Sequence, residues 1–558
     1  MSHLTTRSAK PDGSSPVGLA VSCAFPLVAG VALGMSLVYI AIRPQWGDQT
    51  WLLFAARRML DGPWRGFESL ADSNPPLIIW LSAIPVAIGR ALDIPLAAAL
   101  QGCLAALVAF SVLWSTILLR RGTTANSTWF AGWFALVLLF ATVVHPWMHY
   151  GQREHMMLLL VLPYLIMSAG RIEGQLPSGR EAVVAGLCAG IGFLLKPHHL
   201  LVVLAVETLL LIRVRHVRSL YRPEAAAMIA AGLGYVAAIA LWTPDYLLKL
   251  LPLALNTYYD YHHAELWELM SPMRALKMLL LVLLWAVLYR RLAHRALATV
   301  LVLAGTGAAL ACLLQLKGHE YQFVPAIAFF DLLFGVIAID CWLQWAAPRT
   351  VAIPRALAAV GATLMFAATV ALCYPLQLAK VAHPYTDDRI AVQRAVSHDI
   401  PAKATVLILS TSAEAFFEQV LDQNWEWGSR FMCLWMLPAI LNAERTAELN
   451  GTAAPAAMRD SAALTRNAVA ADLARWQPNP VLVDRCQDER IAPCMGIGTL
   501  RINPLQWLEQ DPAFAAAWAN YVHVGQDGPY DLWCRKEESD VCRRILRSPE
   551  ALAIVQGK

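Results

Sequence analysis

The chain has 558 residues, of which 58% are hydrophobic and 15% charged, against about 25% charged in a soluble domain. Its net charge of +4 is scattered through loops rather than gathered on one face, which argues against a nucleic-acid partner. Composition therefore excludes an ordinary soluble enzyme. Many apolar runs approach the ~20 residues that cross a bilayer as a helix.

In chain order, a polar tail (1–16) precedes apolar runs at 17–42, 97–119, 128–145, 156–170, 182–195, 198–212, 225–242, 275–289, 296–314, 324–341 and 356–378. The first run is too long for a signal peptide and lacks a small-residue cleavage site, so it is expected to remain as an anchor. The run 76–92 is short, starts on Pro76 and contains Pro85. If it stays at the interface, Arg120-Arg121, the loop from Arg213 to Arg222, the loop from Arg290 to Arg295, and Arg349 with Arg355 share one side with Arg7 and Lys10. Short loops rich in Lys and Arg mark the cytoplasm. This gives about eleven spans, with the N-terminus inside and the C-terminus outside. Residues 17–379 form the transmembrane domain, with 43–96 as an outer loop. No internal repeat is visible.

From 380 to 558 the charge density becomes ordinary. Patches such as ATVLILS (404–410) and NPVLVDR (479–485) read as strands, and the Ala-rich 443–475 as helix and loop, so this is a small extracytoplasmic α/β domain. Cys23, Cys103, Cys188, Cys312, Cys341, Cys373 and Cys433 lie in apolar stretches as packed thiols. Cys486, Cys494, Cys534 and Cys542 fall in the polar domain in two C-x7-C pairs. In an oxidising compartment these are disulfide candidates, with three pairings open; their spacing is wide for zinc.

With this topology the polar residues of otherwise apolar sequence collect on the outer face, where charges near a membrane tend to be functional. One loop reads HPWMHYGQREH (145–155), the next KPHH (196–199), and a later one KGHEYQ (317–322). Any single Lys or His at a helix end could simply anchor at the interface. Three such clusters on one face point to a shared anion site, since Arg and Lys hold phosphate by charge-assisted hydrogen bonds. The cytoplasmic arginines need no explanation beyond topology. No G-x-G-x-x-G or Walker-type loop occurs, so a nucleotide-sugar donor is not expected.

The stretch GDQTWLLFAARRMLDGPWRGFESLADSNPPLIIW, Gly47 to Trp80, follows the first span. It has an acid at Asp48, then ARRML.G (Ala56 to Gly62), then PPL..WL.A (Pro75 to Ala83). It resembles the first outer loop of GT-C membrane glycosyltransferases, especially the protein O-mannosyltransferase and lipid A aminoarabinose transferase branch. The likeness covers about the first 170 residues, and the rest in layout. It implies juxtamembrane helices in 43–96, Asp48 as the catalytic acid-base residue, and Glu154 as a second acid. It also implies a sugar moved from a polyprenyl-phosphate donor to a lipid, glycan or protein acceptor, at a bacterial inner membrane with the site facing the periplasm. Arg153, Lys196 and Lys317 would hold the donor phosphate, assisted by His155, His198, His319 and Tyr321. Arg58, Asp72 and Asn74 would serve the acceptor side. His199 reads equally well as packing. Some relatives carry an acid and a base before the Pro pair, where this chain has Ser73 and Asn74, with Asp72 displaced. Two acids make a thin ligand set for a divalent ion, and no cofactor is expected.

Two other classes fit less well. A lipid-linked sugar flippase or other transporter would carry mid-span charges and inverted repeats with broken helices. A polysaccharide polymerase or ligase would be expected to rely on outer-loop arginines rather than an acid after the first span.

Overall fold

The computed structural model describes residues 29–41, 47–62, 66–121, 127–214, 221–258, 269, 271–346, 400–413, 416–486, 501, 503–527 and 529–539. The expected span 356–378, the tail 1–16, Arg349, Arg355, Cys23, Cys373, Cys494 and Cys542 lie outside the described residues. The chain divides into two compact units. The first comprises 1–44, 104–232 and 265–384, the second 45–103, 233–264 and 385–558. In this division residues 45–103, which include most of the expected outer loop 43–96, group with the C-terminal residues.

The protein is a polytopic α-helical membrane protein. Six helices are at least 18 residues long and apolar enough to span: Leu96–Arg120, Arg153–Ile172, Pro223–Trp242, Pro272–Arg291, Arg295–Gln315 and Glu320–Leu343. Ala29–Ala41, Leu77–Leu92 and Trp129–Val144 are shorter apolar helices, as are Gly179–Leu195 and Leu200–Val214. Ten of the eleven expected runs therefore fall on described helices, six of them long enough to count by length alone. Helices are the form such runs must take, because the bilayer core offers no water to backbone N–H and C=O groups.

In the first unit the helices pack around Phe130, Trp133, Phe134, Leu158, Leu162, Leu301, Phe329 and Leu333. Small residues set the closest approaches, as in membrane interfaces generally. A Cβ on Gly186 would lie 2.2 Å from the Glu224 carbonyl oxygen, so only glycine fits there. Helix Gly179–Leu195 starts on a capping box, Ser178 with Glu181, which satisfies first-turn N–H groups. Beside it lies an ionic network. Arg171 Nε is 2.6 Å from Glu224 Oε1, and Arg222 pairs with both Glu207 and Glu224. Arg222, read from sequence as a topology marker alone, is buried, so it also holds helices together.

The second unit contains a five-stranded sheet in the order β2-β1-β3-β5-β4, with β1 Thr405–Leu409, β2 Glu426–Trp427, β3 Val481–Asp484, β4 Tyr521–Asp527 and β5 Tyr530–Arg535. β1 runs parallel to β2 and β3, and β3 antiparallel to β5. The two strands expected from sequence are β1 and β3. They are unbroken apolar runs because both faces are buried; on one of them Leu407, Leu409, Val481 and Val483 pack with Leu437, Ile440, Val469, Leu473 and Phe514. Helices Leu437–Leu449 and Ala456–Trp476 account for the Ala-rich region. Cys486 and Cys534 are both disulfide-bonded.

The first outer loop is built into this unit. Helix Gly47–Asp61 packs Trp51 and Phe54 on Phe417, with ring centroids 4.9 and 5.8 Å apart. The Ala71 N–H donates to the Arg430 carbonyl at 2.8 Å. Gly66, at φ +57°, would push a Cβ to within 2.8 Å of Asp245 Oδ2, so both conformation and space demand glycine. Helix Leu77–Leu92, 16 residues long, buries Ile78, Ile79, Ser82, Pro85, Val86 and Gly89 and leaves Ile84, Ile88 and Leu92 exposed. Its first N–H is satisfied by the Tyr235 hydroxyl at 3.1 Å.

Candidate active site

In the first unit the three clusters expected on the outer face come together. Helix Arg153–Ile172 begins at Arg153 after an extended Gln152. Arg153, Glu154 and His155 are therefore first-turn residues rather than loop residues, and a first-turn carboxylate is favoured by the helix dipole. Lys196 caps helix Gly179–Leu195 and leads into the 3-10 turn Pro197–His199. Lys196 Nζ lies 2.8 Å from Glu154 Oε1 and 5.5 Å from the centre of the Tyr321 ring. His319 stacks on Tyr321 at 5.3 Å and His149 meets it edge-on at 6.0 Å. Arg153, Lys196 and Lys317 are all buried. A charge taken out of water needs strong compensation, so these cations mark a built polar site inside apolar surroundings.

Not every expected residue serves the site in the same way. The Gly151 N–H donates to His155 Nδ1 at 2.9 Å, and His155 Nε2 lies 2.6 Å from the Thr142 carbonyl. A carbonyl only accepts, so Nε2 carries the proton and both ring nitrogens are spent on the loop. His155 is thus a brace, with no nitrogen left for a phosphate. His199 is fully buried, and His198 is half-buried beside it.

Sequence reasoning passed over Gln315 and Asp331 here. The Gln322 amide donates to Gln315 Oε1 at 2.8 Å within the buried interior. Asp331 pairs with Lys277 at 2.6 Å and with His145 at 3.0 Å. An acid in the apolar run FFDLLF was a readable signal, but its partners come from another helix (Lys277) and from a turn (His145).

In the second unit Asp48 stands in the first turn of helix Gly47–Asp61. Arg58, on the same helix, donates to the carbonyls of Ser429, at 2.7 Å, and Trp427, and pairs with Glu426. Its guanidinium lies over Phe54 and Trp476. It clasps the helix to the C-terminal domain, where the sequence reading had it facing an acceptor. Asp72 accepts from the Trp51 indole and from the backbone and side chain of Asn74, both at 2.7 Å. Asp72 and Asn74 thereby shape the turn into Pro75-Pro76.

No protein-family model and no curated protein matches the sequence. Solved structures do share its fold. ArnT from Cupriavidus metallidurans in the apo state superposes with a TM-score of 0.52 at 12% identity, covering 92% of this chain and 98% of that one. This chain shares the fold of that protein. The same protein bound to undecaprenyl phosphate gives 0.50 at 12%, covering 91% and 97%. An oligosaccharyltransferase from Archaeoglobus fulgidus tethered to an acceptor peptide is more distant, at 0.47 and 12%, covering 92% and 74%.

Proposed function

We propose that this protein is an integral-membrane glycosyltransferase that moves a sugar from a polyprenyl-phosphate donor to an acceptor hydroxyl on the outer face of a bacterial inner membrane. Asp48 takes the hydroxyl proton as the oxygen attacks the anomeric carbon. The bond from that carbon to the phosphate oxygen breaks, the configuration inverts, and the electron pair leaves with the polyprenyl phosphate. Arg153, Lys196 and Lys317 offset the negative charge that develops there, which is where fixed cations contribute most. Glu154 holds Lys196 in place.

The observation that carries this reading is Lys196 meeting both neighbouring clusters, Glu154 and Tyr321. Support also comes from the shared fold with ArnT, one of whose structures holds undecaprenyl phosphate.

Two measurements test it. Full-length protein in nanodiscs is titrated with undecaprenyl phosphate: Arg153→Ala and Lys196→Ala weaken binding, while Arg291→Ala does not. In a deletion strain the lost glycan is restored by the unmodified gene and not by Asp48→Asn, because an amide keeps size but removes basicity; such a base is worth typically about 10²–10⁴-fold in rate. Full restoration by Asp48→Asn, or equal lipid binding by all variants, overturns the reading.

A further inference from the structure

The second unit contains a cavity of about 410 Å³, within the range of ~300–1,000 Å³ typical of small-ligand sites. One wall is a face of helix Ala456–Trp476, where Leu464, Ala468, Ala471 and Arg475 recur at three- and four-residue spacing. Ala468 and Ala471 leave the room that larger side chains would fill. The rest of the lining is Phe67 and Glu68 from the first outer loop, Lys249 from the segment after helix Pro223–Trp242, and Arg430.

The charges around this cavity cancel. Lys249 Nζ is 3.1 Å from Asp245 Oδ1. Arg430 grips Asp472 through Nη2 at 2.7 Å and Nε at 2.8 Å. Arg475 Nη1 donates to the Glu68 backbone oxygen at 2.9 Å, and the Glu68 carboxylate is the remaining acid on the wall. Lys249 and Arg430 both lie over the Phe67 ring, 5.4 and 5.0 Å from its centre, which holds them in position.

An anion entering here would compete with Asp245 and Asp472 for two of the three cations, and a cation would meet three fixed positive charges. A hydroxyl both donates and accepts. A wall of fixed donors and acceptors without net charge, above an apolar floor of Leu464, Ala468 and Ala471, suits an uncharged polyol with C–H faces. We propose that this cavity is a saccharide-binding subsite that takes a neutral sugar unit of the acceptor. That the sugar belongs to the acceptor rests on the transferase reading; the binding itself does not.

Saturation-transfer NMR on the full-length protein in detergent tests it. The probes are the methyl glycosides of mannose, galactose and N-acetylglucosamine, with glucuronic acid and mannose 6-phosphate as charged comparators. Ala471→Trp fills the cavity, Asn467→Ala removes an amide from its rim, and Ala463→Trp, on an exposed part of the same helix, controls for folding. The expected result is transfer to at least one neutral glycoside in the unmodified protein and in Ala463→Trp, reduced in Asn467→Ala and lost in Ala471→Trp. Preference for the charged sugars, silence across the neutral set, or unchanged binding in Ala471→Trp overturns the inference. Saccharide binding without any sugar transfer removes the transferase reading alone; transfer without saccharide binding removes this one alone.

Discussion

Lys196 Nζ sits 2.8 Å from Glu154 Oε1, with the two side chains only 10% and 1% exposed. In such surroundings a pair contributes little net stability, yet removing one partner strands the other charge at a cost of about 3–5 kcal/mol. Lys196→Ala and Glu154→Gln should each lower the melting temperature of the purified protein. The double variant Glu154→Gln/Lys196→Met should recover most of that loss while still binding undecaprenyl phosphate weakly. Recovery of both stability and lipid affinity in the double variant would show that Lys196 serves packing alone.

His155 should behave differently. Its ring satisfies the Gly151 N–H and the Thr142 carbonyl, and orphaning such buried groups costs about 1–3 kcal/mol each. His155→Ala is expected to melt earlier, while the protein that remains folded binds undecaprenyl phosphate as before. A variant of normal stability and poor lipid affinity would return His155 to the phosphate site.

Asp484, at the end of β3, carries a pH effect. Burial raises its pKa to about 6, partly opposed by the hydrogen bond that the Ser410 hydroxyl donates to it at 2.7 Å. The folded value lies above the unfolded one of about 3.9, so the native state binds the proton more tightly. The sign follows: this residue's contribution is most favourable below pH 4 and is lost as pH rises through 6, by up to about 3 kcal/mol. Asp484→Asn should therefore gain stability relative to the unmodified protein between pH 4 and 7, read from paired denaturation curves. A constant difference across that window would refute the shift.

The orientation makes its own prediction. A cysteine replacing the exposed Tyr221, in the arginine-rich loop, should resist a membrane-impermeant maleimide in intact cells, whereas one replacing the exposed Glu320 should react. The reason is the positive-inside bias. Labelling at 221 and protection at 320 would invert the topology and move the proposed site to the cytoplasm.

Among the described residues, sequence alone placed the apolar helices and the strands β1 and β3, because apolar length and backbone periodicity are local properties. It also showed Arg153, Lys196 and Lys317 as charges out of keeping with their surroundings. Only the tertiary structure decided what those residues touch. Arg58 and the Ser429 carbonyl it binds are 371 positions apart, and nothing in the ARRML motif distinguishes a clasp from a ligand. The same holds for His155, whose two nitrogens are claimed by backbone groups that carry no side-chain signature, and for Asp331, whose partners Lys277 and His145 come from distant parts of the chain. Burial and pairing arise when distant segments exclude water together, and that step has no local period to read.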